Sequence, residues 1–182
     1  MATDVEALRA RVLDAAEALF YARGVQSVGM DEVRTASGVS LKRLYQLFPG
    51  KGELVEAYLR RRDARWLAAL AAHVAAEPDP GQRPLAVFDW LQLWFAEPDF
   101  HGCAFINAFG ELGATSPAVA RAVADHKAAF RAYLAELVRD TPLAEQLALL
   151  AEGAMTTAAI TASPTPAHHA KSAARVLLAA SA

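Results

Sequence analysis

The feature that most constrains this chain is a short turn, Gly38-Val39-Ser40, between two segments with apolar residues at helical spacing. Gly38 can adopt the positive φ that ends a helix, and the Ser40 hydroxyl can cap the helix that follows. The apolar positions on both sides of the turn are spaced to meet in one small core. They are Val33, Ala36, Val39, Leu44 and Phe48. Residues 30–48 are therefore predicted to form a helix-turn-helix.

The second helix of this motif leaves polar side chains available on its outer face, namely Lys42, Arg43, Tyr45 and Gln46. Lys and Arg donate hydrogen bonds to base edges and phosphates, and a tyrosine hydroxyl suits a phosphate oxygen. Between Arg34 and Arg62, seven Lys or Arg stand against two acidic residues, although the formal net charge of the chain is −2. This local charge favours DNA binding over an ordinary helical hairpin with a solvated basic face. We interpret Arg60-Arg61-Arg62, beyond the motif, as solvated surface.

A longer pattern resembles the signature of TetR-family transcriptional repressors: Gly38-Val39-Ser40, Leu44-Tyr45, Phe48-Pro49, Lys51 and Glu53-Leu54. Residues 5–23 also resemble the first helix of that family, with an apolar face that stops at Arg23-Gly24. The resemblance implies that Lys51, at the start of a helix, binds a DNA phosphate. The candidate DNA-binding residues are Ser40, Leu41, Lys42, Arg43, Tyr45, Gln46 and Lys51.

Two positions depart from the family pattern. Leu47 stands where the family often has a His or another polar residue that binds phosphate. Leu41 stands where a polar, base-facing residue is common, and it can make only an apolar contact, for example with a thymine methyl group. We therefore expect thymine at that step of the operator. The departures leave open a second function, a helical protein that binds or sequesters a small molecule without sequence-specific DNA recognition.

The rest of the chain is rich in Ala and Leu and is divided by proline-centred breaks. These breaks predict helices at 51–76, 83–96, 103–112, 117–139, 142–162 and 167–180. The expected fold is all-α, with a three-helix DNA-binding head and a body of roughly six helices. We assign residues 1–50 to a helix-turn-helix DNA-binding domain and residues 51–182 to an effector-binding and dimerisation domain.

A candidate ligand site lies in the segment 102–112, where Asn107 and Glu111 are one helical turn apart among apolar residues. An inward polar pair would orient a ligand, whereas a buried structural hydrogen bond at Asn107 is the alternative. The segment also resembles a Gly-Cys…Asn…Glu-Leu pattern in the effector domain of one TetR subgroup. The candidate effector-binding residues are Trp66, Trp90, Trp94, Cys103, Phe105, Asn107, Phe109 and Glu111. Cys103, at the predicted helix start, suits either a sensor of electrophiles or a small buried hydrophobic residue.

The last two predicted helices have faces of small and apolar residues that allow close helix packing. The corresponding helices form the dimer interface in the TetR family, so the resemblance implies a homodimer, although packing within one chain would also explain these faces. A dimer would place two recognition helices about 34 to 36 Å apart, which matches a palindromic operator. The resemblance further implies a repressor that a small apolar effector releases from double-stranded operator DNA.

Patterns typical of enzymes are missing from the sequence, including the serine-centred elbow and the metalloprotease helix motif. The five histidines are scattered or adjacent. We therefore expect no catalytic residues, no cofactor and no metal site. The single cysteine, Cys103, excludes an intramolecular disulfide. Charged residues occupy the N-terminus and no apolar run reaches about 18 residues, so we expect a cytoplasmic protein without membrane contact.

Overall fold

The structure is a computed structural model that describes residues 2–181, and side chains from residue 4 onward. The described residues form nine helices and no strand. In chain order these are α1 (Ala2–Arg23), α2 (Met30–Ser37), α3 (Leu41–Leu47), α4 (Lys51–Ala75), α5 (Arg83–Phe95), α6 (Ala104–Leu112), α7 (Pro117–Val138), α8 (Thr141–Thr161) and α9 (Thr165–Ala180). The predicted all-α class and helix order are confirmed. Body helices begin and end within two residues of the predicted positions.

The helices form two compact units, each made of two stretches of chain. Unit 1 comprises Met1–Asp63 and Ala104–Ala124, and unit 2 comprises Ala64–Cys103 and Asp125–Ala182. The functional division suggested by the sequence, 1–50 and 51–182, stays a prediction, and these packing units do not coincide with it. The reason lies in burial: the first half of α4 contributes Leu54, Val55 and Tyr58 to the core of unit 1, where the Tyr58 ring lies 5.8 Å from that of Phe20.

The turn of the helix-turn-helix has the predicted chemistry at both ends. Gly38 has φ of +65°, and its N–H donates to the carbonyls of Arg34 and Thr35. The Ser40 hydroxyl accepts the backbone N–H of Arg43 at 3.3 Å. Val33, Val39, Leu44 and Phe48 are buried as expected. The turn thus fixes α2 and α3 against a common core.

One predicted core position of this motif is wrong. Ala36 is exposed, and Ser37 is buried in its place. Ser37 lies one turn after Val33 on the same face of α2, and its carbonyl accepts a hydrogen bond from Arg11 of α1 at 2.7 Å. Its hydroxyl donates to the Arg34 carbonyl, so this polar side chain is satisfied inside the core.

Ion pairs hold α4 against α1. Arg61 donates to Asp14 and Glu17 at 2.8 Å each, and Arg62 donates to Glu17 at 2.9 Å. The Arg62 guanidinium also lies 3.9 Å from the centre of the Tyr21 ring. Our interpretation of this triplet as solvated surface is therefore wrong for Arg61 and Arg62, because both are half-buried. The acidic partners lie more than forty positions earlier in the chain, where local sequence does not reveal the pairing.

In unit 2, α8 and α9 pack against each other and against α5. Small residues make this close approach possible, since Ala151, Ala154 and Ala158 of α8 are buried together with Ala170 and Ala174 of α9. Lys171 of α9 forms an ion pair with Asp89 of α5 at 2.5 Å. None of the described helices is both long and apolar enough to cross a membrane.

Candidate functional site

The outer face of α3 presents the side chains that the sequence predicted for DNA. Leu41, Lys42, Tyr45 and Gln46 are exposed, and Arg43 is half-buried. Leu41 and Tyr45 keep 47% and 46% of their surface accessible although both are large and partly apolar. Unpartnered exposure of this kind is typical of a contact surface. α3 therefore brings five of the seven predicted DNA-binding residues onto one short helix.

The cations of this region fall into two groups. Arg34, Arg60, Arg61 and Arg62 each form an ion pair with a carboxylate of unit 1. Lys42, Arg43 and Lys51 have no carboxylate within ion-pair distance among the described residues. A carboxylate partner reduces the positive potential around a cation. The unneutralised positive charge of this segment is therefore concentrated at α3 and at the start of α4.

Lys51 is positioned by the loop between α1 and α2. Its ammonium group donates to the Gln26 carbonyl at 3.4 Å, and the Gln26 N–H donates to the Glu111 carboxylate at 2.6 Å. This arrangement leaves the other Lys51 donors free for a phosphate at the first turn of α4. Leu47, which replaces a polar family residue, is half-buried, and its carbonyl accepts from Arg9 at 3.5 Å.

The three predicted tryptophans of the effector site meet in unit 2. The Trp66 ring lies edge-on to those of Trp90 and Trp94, with ring centres 5.0 and 5.8 Å away. His126 and Phe130 complete the contacts of Trp66, at 5.3 and 5.4 Å. The indole Nε1–H of Trp66 is buried and has no hydrogen-bond acceptor among the described residues. A buried donor without a partner is costly, so this position favours a ligand that supplies an acceptor.

The remaining predicted effector residues lie on α6 or directly before it. Phe105 is buried, but Asn107 and Phe109 are exposed. Asn107 nevertheless lines a small cavity together with Glu111, so the effector role predicted for this pair stays a prediction. Glu111 also accepts the backbone N–H groups of Val25 and Gln26 in the loop that follows α1.

A small cavity of about 120 Å³ lies beside Glu111 in unit 1. Its walls include the aromatic rings of Phe20, Tyr21 and Tyr58, together with Asn107 and Glu111. A cavity of this size holds a few water molecules or a very small organic molecule. It is too small to enclose a drug-sized effector, for which cavities of about 300 Å³ or more are usual.

Cys103 lies immediately before α6 and is buried. Its Sγ accepts a long hydrogen bond from the Lys127 ammonium at 3.8 Å. Lys127 also lies 3.4 Å from the Glu152 carboxylate, and this ion pair fixes its position. Both candidate roles of Cys103, as a sensor and as a small buried residue, stay predictions.

The outer surface of α8 and α9 carries an apolar groove of about 370 Å³. It is lined by Leu149, Leu150, Gly153, Ala154, Thr157, Pro166, His169 and Ala170. On the same two helices, Ile160 and Val176 are largely exposed, at 79% and 69%. Exposed apolar residues concentrated on one helix pair are typical of a protein–protein contact.

The sequence did not single out Gln26, His126 and Lys127, which complete these sites. Gln26 orients Lys51, His126 packs on Trp66, and Lys127 contacts Cys103. Each lies far along the chain from the residue that it contacts. The one signal available was the position of Gln26 in the loop after Gly24, where backbone N–H groups have no helical acceptors and need other partners.

Comparisons with known proteins agree with this architecture. Residues 12–58, from α1 into α4, match the model of the family described as bacterial regulatory proteins, tetR family. The crystal structure of a TetR-family transcriptional regulator from Streptomyces coelicolor superposes with a TM-score of 0.86 and 30% sequence identity, over 94% of each chain.

Two curated relatives come from mycobacteria. A helix-turn-helix-type transcriptional regulator of Mycobacterium tuberculosis is 37% identical over 75 residues, which are 41% of this chain and 37% of that protein. The transcriptional activator FasR of Mycolicibacterium smegmatis is 34% identical over 115 residues, which are 63% of this chain and 51% of FasR. The matches thus span between about a third and half of these relatives' length. Together with the full-length structural match, they establish that the chain belongs to the TetR family of DNA-binding transcriptional regulators.

Proposed function

We propose that this protein is a ligand-responsive transcriptional repressor that binds a palindromic operator as a homodimer and leaves it when a small, mostly apolar effector binds. The observation that carries the proposal is the outer face of α3. It combines exposed Lys42, Tyr45 and Gln46 with Arg43 and with the loop-supported Lys51, and none of the three cations forms a close ion pair with a carboxylate among the described residues. A protein that reads DNA needs this free positive charge beside side chains that reach bases.

The proposed homodimer uses the groove of α8 and α9. Its exposed apolar side chains would be covered by the same groove of a second copy, as a two-fold symmetric interface requires. Two copies of α3, held about 34 to 36 Å apart, would then enter successive major grooves on one side of the DNA.

The proposed effector site is the tryptophan cluster of unit 2. Trp66, Trp90 and Trp94 offer apolar ring faces and edges, which suits a ligand with an aromatic or aliphatic body. The unpartnered Nε1–H of Trp66 calls for one hydrogen-bond acceptor on that ligand, such as a carbonyl oxygen. We expect the intrinsic tryptophan fluorescence to change when such a compound binds, and we expect Trp66→Phe to weaken this binding without changing affinity for the operator.

Repression and ligand response are coupled in this proposal. If the effector weakens operator binding by some factor, operator DNA must weaken effector binding by the same factor. Effector titrations followed by tryptophan fluorescence, with and without saturating operator, test this equality. Equal effector affinity in both titrations would exclude the coupling.

The first experiment measures binding of the full chain to the DNA upstream of its own gene by fluorescence anisotropy, with excess random DNA present. The matched variants are Arg43→Ala and Tyr45→Phe, and the control is Arg121→Ala. Arg121 is an exposed arginine of α7 with no hydrogen bond or ion pair among the described residues. We expect tight binding that resists random DNA, is clearly weakened but still measurable in Arg43→Ala, and is unchanged in the control.

The proposal fails if the chain binds the upstream DNA only weakly and random DNA competes for it equally well. In that case the affinity for every sequence should fall steeply as the salt concentration rises. That result would favour the alternative, a helical protein that binds or sequesters a small molecule. Exposed Leu41 supports this alternative, since it cannot hydrogen-bond to a base edge.

A further inference from the structure

Arg43 and Gln46 are joined on the outer face of α3. The guanidinium Nη1 of Arg43 donates to the Gln46 Oε1 at 3.1 Å, between side chains three positions apart on one helical face. Arginine has donors only, so the Gln46 oxygen must face it, and the amide N–H₂ must point elsewhere. The hydrogen bond therefore determines which end of the glutamine amide is available to a partner.

This orientation changes what the glutamine can recognise. A free glutamine pairs with adenine by donating to N7 and accepting from the N6 amino group. Here an adenine N6 amino group that approached Oε1 would meet the N–H groups of the Arg43 guanidinium, which are donors like itself. The groups that remain, the amide N–H₂ of Gln46 and the other guanidinium N–H groups of Arg43, are all donors. In the major groove, guanine presents two acceptors, O6 and N7, at adjacent positions.

We propose that Arg43 and Gln46 act as one donor-only pair that selects guanine at their base step of the operator, with Gln46 as a positioning residue for Arg43. The inference rests on the proposed function, in which α3 enters the major groove. Leu41 lies on the same short helix and keeps 47% of its surface exposed. The thymine contact expected of Leu41 is a separate assignment, on which this proposal does not depend.

The surroundings of Arg43 leave its guanidinium group available to a base. Among the described residues no carboxylate lies within ion-pair distance of its guanidinium, whereas Arg34 on α2 is bound to Asp31 at 2.7 Å. The backbone N–H of Arg43 is held by Ser40, and its side chain is half-buried, so few orientations remain. A pre-oriented guanidinium loses less conformational freedom when it forms two parallel hydrogen bonds to guanine.

The test is selection from double-stranded DNA with a randomised central segment, followed by sequencing of the bound fraction, for the wild-type chain and three variants. In the wild type we expect one position per half-site where guanine is preferred about ten- to a hundredfold over other bases. Arg43→Ala should remove this preference and, because Gln46 is then free, should raise the share of adenine there. Gln46→Ala should reduce the guanine preference without moving it.

The third variant, Gln46→Glu, separates positioning from base contact. Its carboxylate still accepts from Arg43 but has no N–H donor, so guanine preference should persist while affinity falls at every sequence. In the selected wild-type duplex, 7-deazaguanine at this position should weaken binding, because it lacks the N7 acceptor. Inosine should not, since it keeps O6 and N7.

Three outcomes would overturn the inference while leaving the proposed function intact. They are adenine preferred by the wild type at the Arg43-dependent position, a uniform loss of affinity in Arg43→Ala with every base preference unchanged, and a Gln46→Ala profile identical to the wild type. If the wild-type chain enriches no sequence at all, the proposed function itself fails. Thermal denaturation of each variant confirms that the fold is kept, as expected for changes on an outer helix face.

Discussion

Gln26 donates two hydrogen bonds to Glu111, which lies 85 positions away in the chain. The backbone N–H of Gln26 donates to the Glu111 carboxylate at 2.6 Å, and the Gln26 side-chain amide donates to the Glu111 backbone carbonyl. The other carboxylate oxygen accepts the Val25 N–H at 3.0 Å. Glu111 of α6 thus supplies the hydrogen-bond acceptors for Val25 and Gln26 in the loop that joins α1 to α2.

The first prediction concerns this carboxylate. Glu111→Ala leaves the N–H groups of Val25 and Gln26 without their acceptor, so we expect a loss of about 1–3 kcal/mol in the free energy of unfolding. Urea denaturation followed by circular dichroism measures it. Glu145→Ala is the control, since Glu145 is half-exposed and forms only a 3.4 Å surface ion pair with Arg131. The control should lose less than about 0.5 kcal/mol in the free energy of unfolding. Equal losses in the two variants would contradict the role of Glu111.

The second prediction compares two glycines of unit 1. Gly38 has φ of +65°, and an added Cβ would lie 3.0 Å from the Arg11 guanidinium. We expect Gly38→Ala to destabilise the chain by about 1–2 kcal/mol, the cost of a left-handed conformation with a side chain. Gly110 lies within α6 with nothing near an added Cβ, so Gly110→Ala should stabilise by about 0.5–1 kcal/mol. Thermal unfolding should show a lower melting temperature for Gly38→Ala and a higher one for Gly110→Ala. A shift of both melting temperatures in the same direction would contradict this prediction.

The third prediction separates two carboxylates of α2 by the cause of their low pKa. The pKa of Asp31 lies below its ordinary value because of the hydrogen bond and charge of Arg34. The pKa of Glu32 lies below its ordinary value mainly because the Gly29 N–H donates to it, and secondarily because of Arg23. We expect Arg34→Ala to return the pKa of Asp31 to its ordinary value. Arg23→Ala should leave the pKa of Glu32 still lowered.

Carboxyl titrations followed by NMR test this difference. Because both pKa values are lowered by folding, each group contributes stability that is present above its unfolded pKa and is lost as pH falls through its folded pKa. The window is therefore acidic, below the ordinary values of 3.8 for Asp31 and 4.5 for Glu32. A full return of the Glu32 pKa in Arg23→Ala would show that the backbone donor of Gly29 is not the main cause.

The fourth prediction concerns the groove of α8 and α9. Leu149 and Ile160 keep 71% and 79% of their surface exposed, so a charge at either position costs the isolated chain little but would be buried without a partner in the proposed homodimer. We expect Leu149→Glu and Ile160→Glu to convert the dimer to a monomer in sedimentation equilibrium. Leu93→Glu on α5, which introduces the same charge at an exposed leucine, should stay dimeric. Dissociation by all three variants, or by none, would argue against this interface.

Local patterns predicted much of the molecule. The helices of residues 2–181 follow from apolar periodicity and from Gly and Pro positions, and the α2–α3 turn follows from Gly38 and Ser40. What the sequence could not show is which distant residues meet. Glu111 was expected beside a ligand, and its hydrogen bonds to the loop at Gln26 were not foreseen. Arg61 and Arg62 were expected in solvent and instead bind Glu17 of α1. Periodicity identifies which face of a helix is buried, but it does not identify the helix that packs on that face.

The inclusion of Ala104–Ala124 in unit 1 has a consequence for the modular design of regulators. A hybrid made by a single cut in α4 would take Glu111 from the donor protein, and the recipient's Gln26 would face a foreign α6. The proposed effector site of unit 2 is therefore better exchanged as two inserts, residues 64–103 and 125–182, with the intervening segment kept from the recipient. In this chain the exchangeable element is discontinuous in sequence, and the junctions of a working chimera belong inside α4, at the start of α6 and inside α7, near residues 63, 104 and 124.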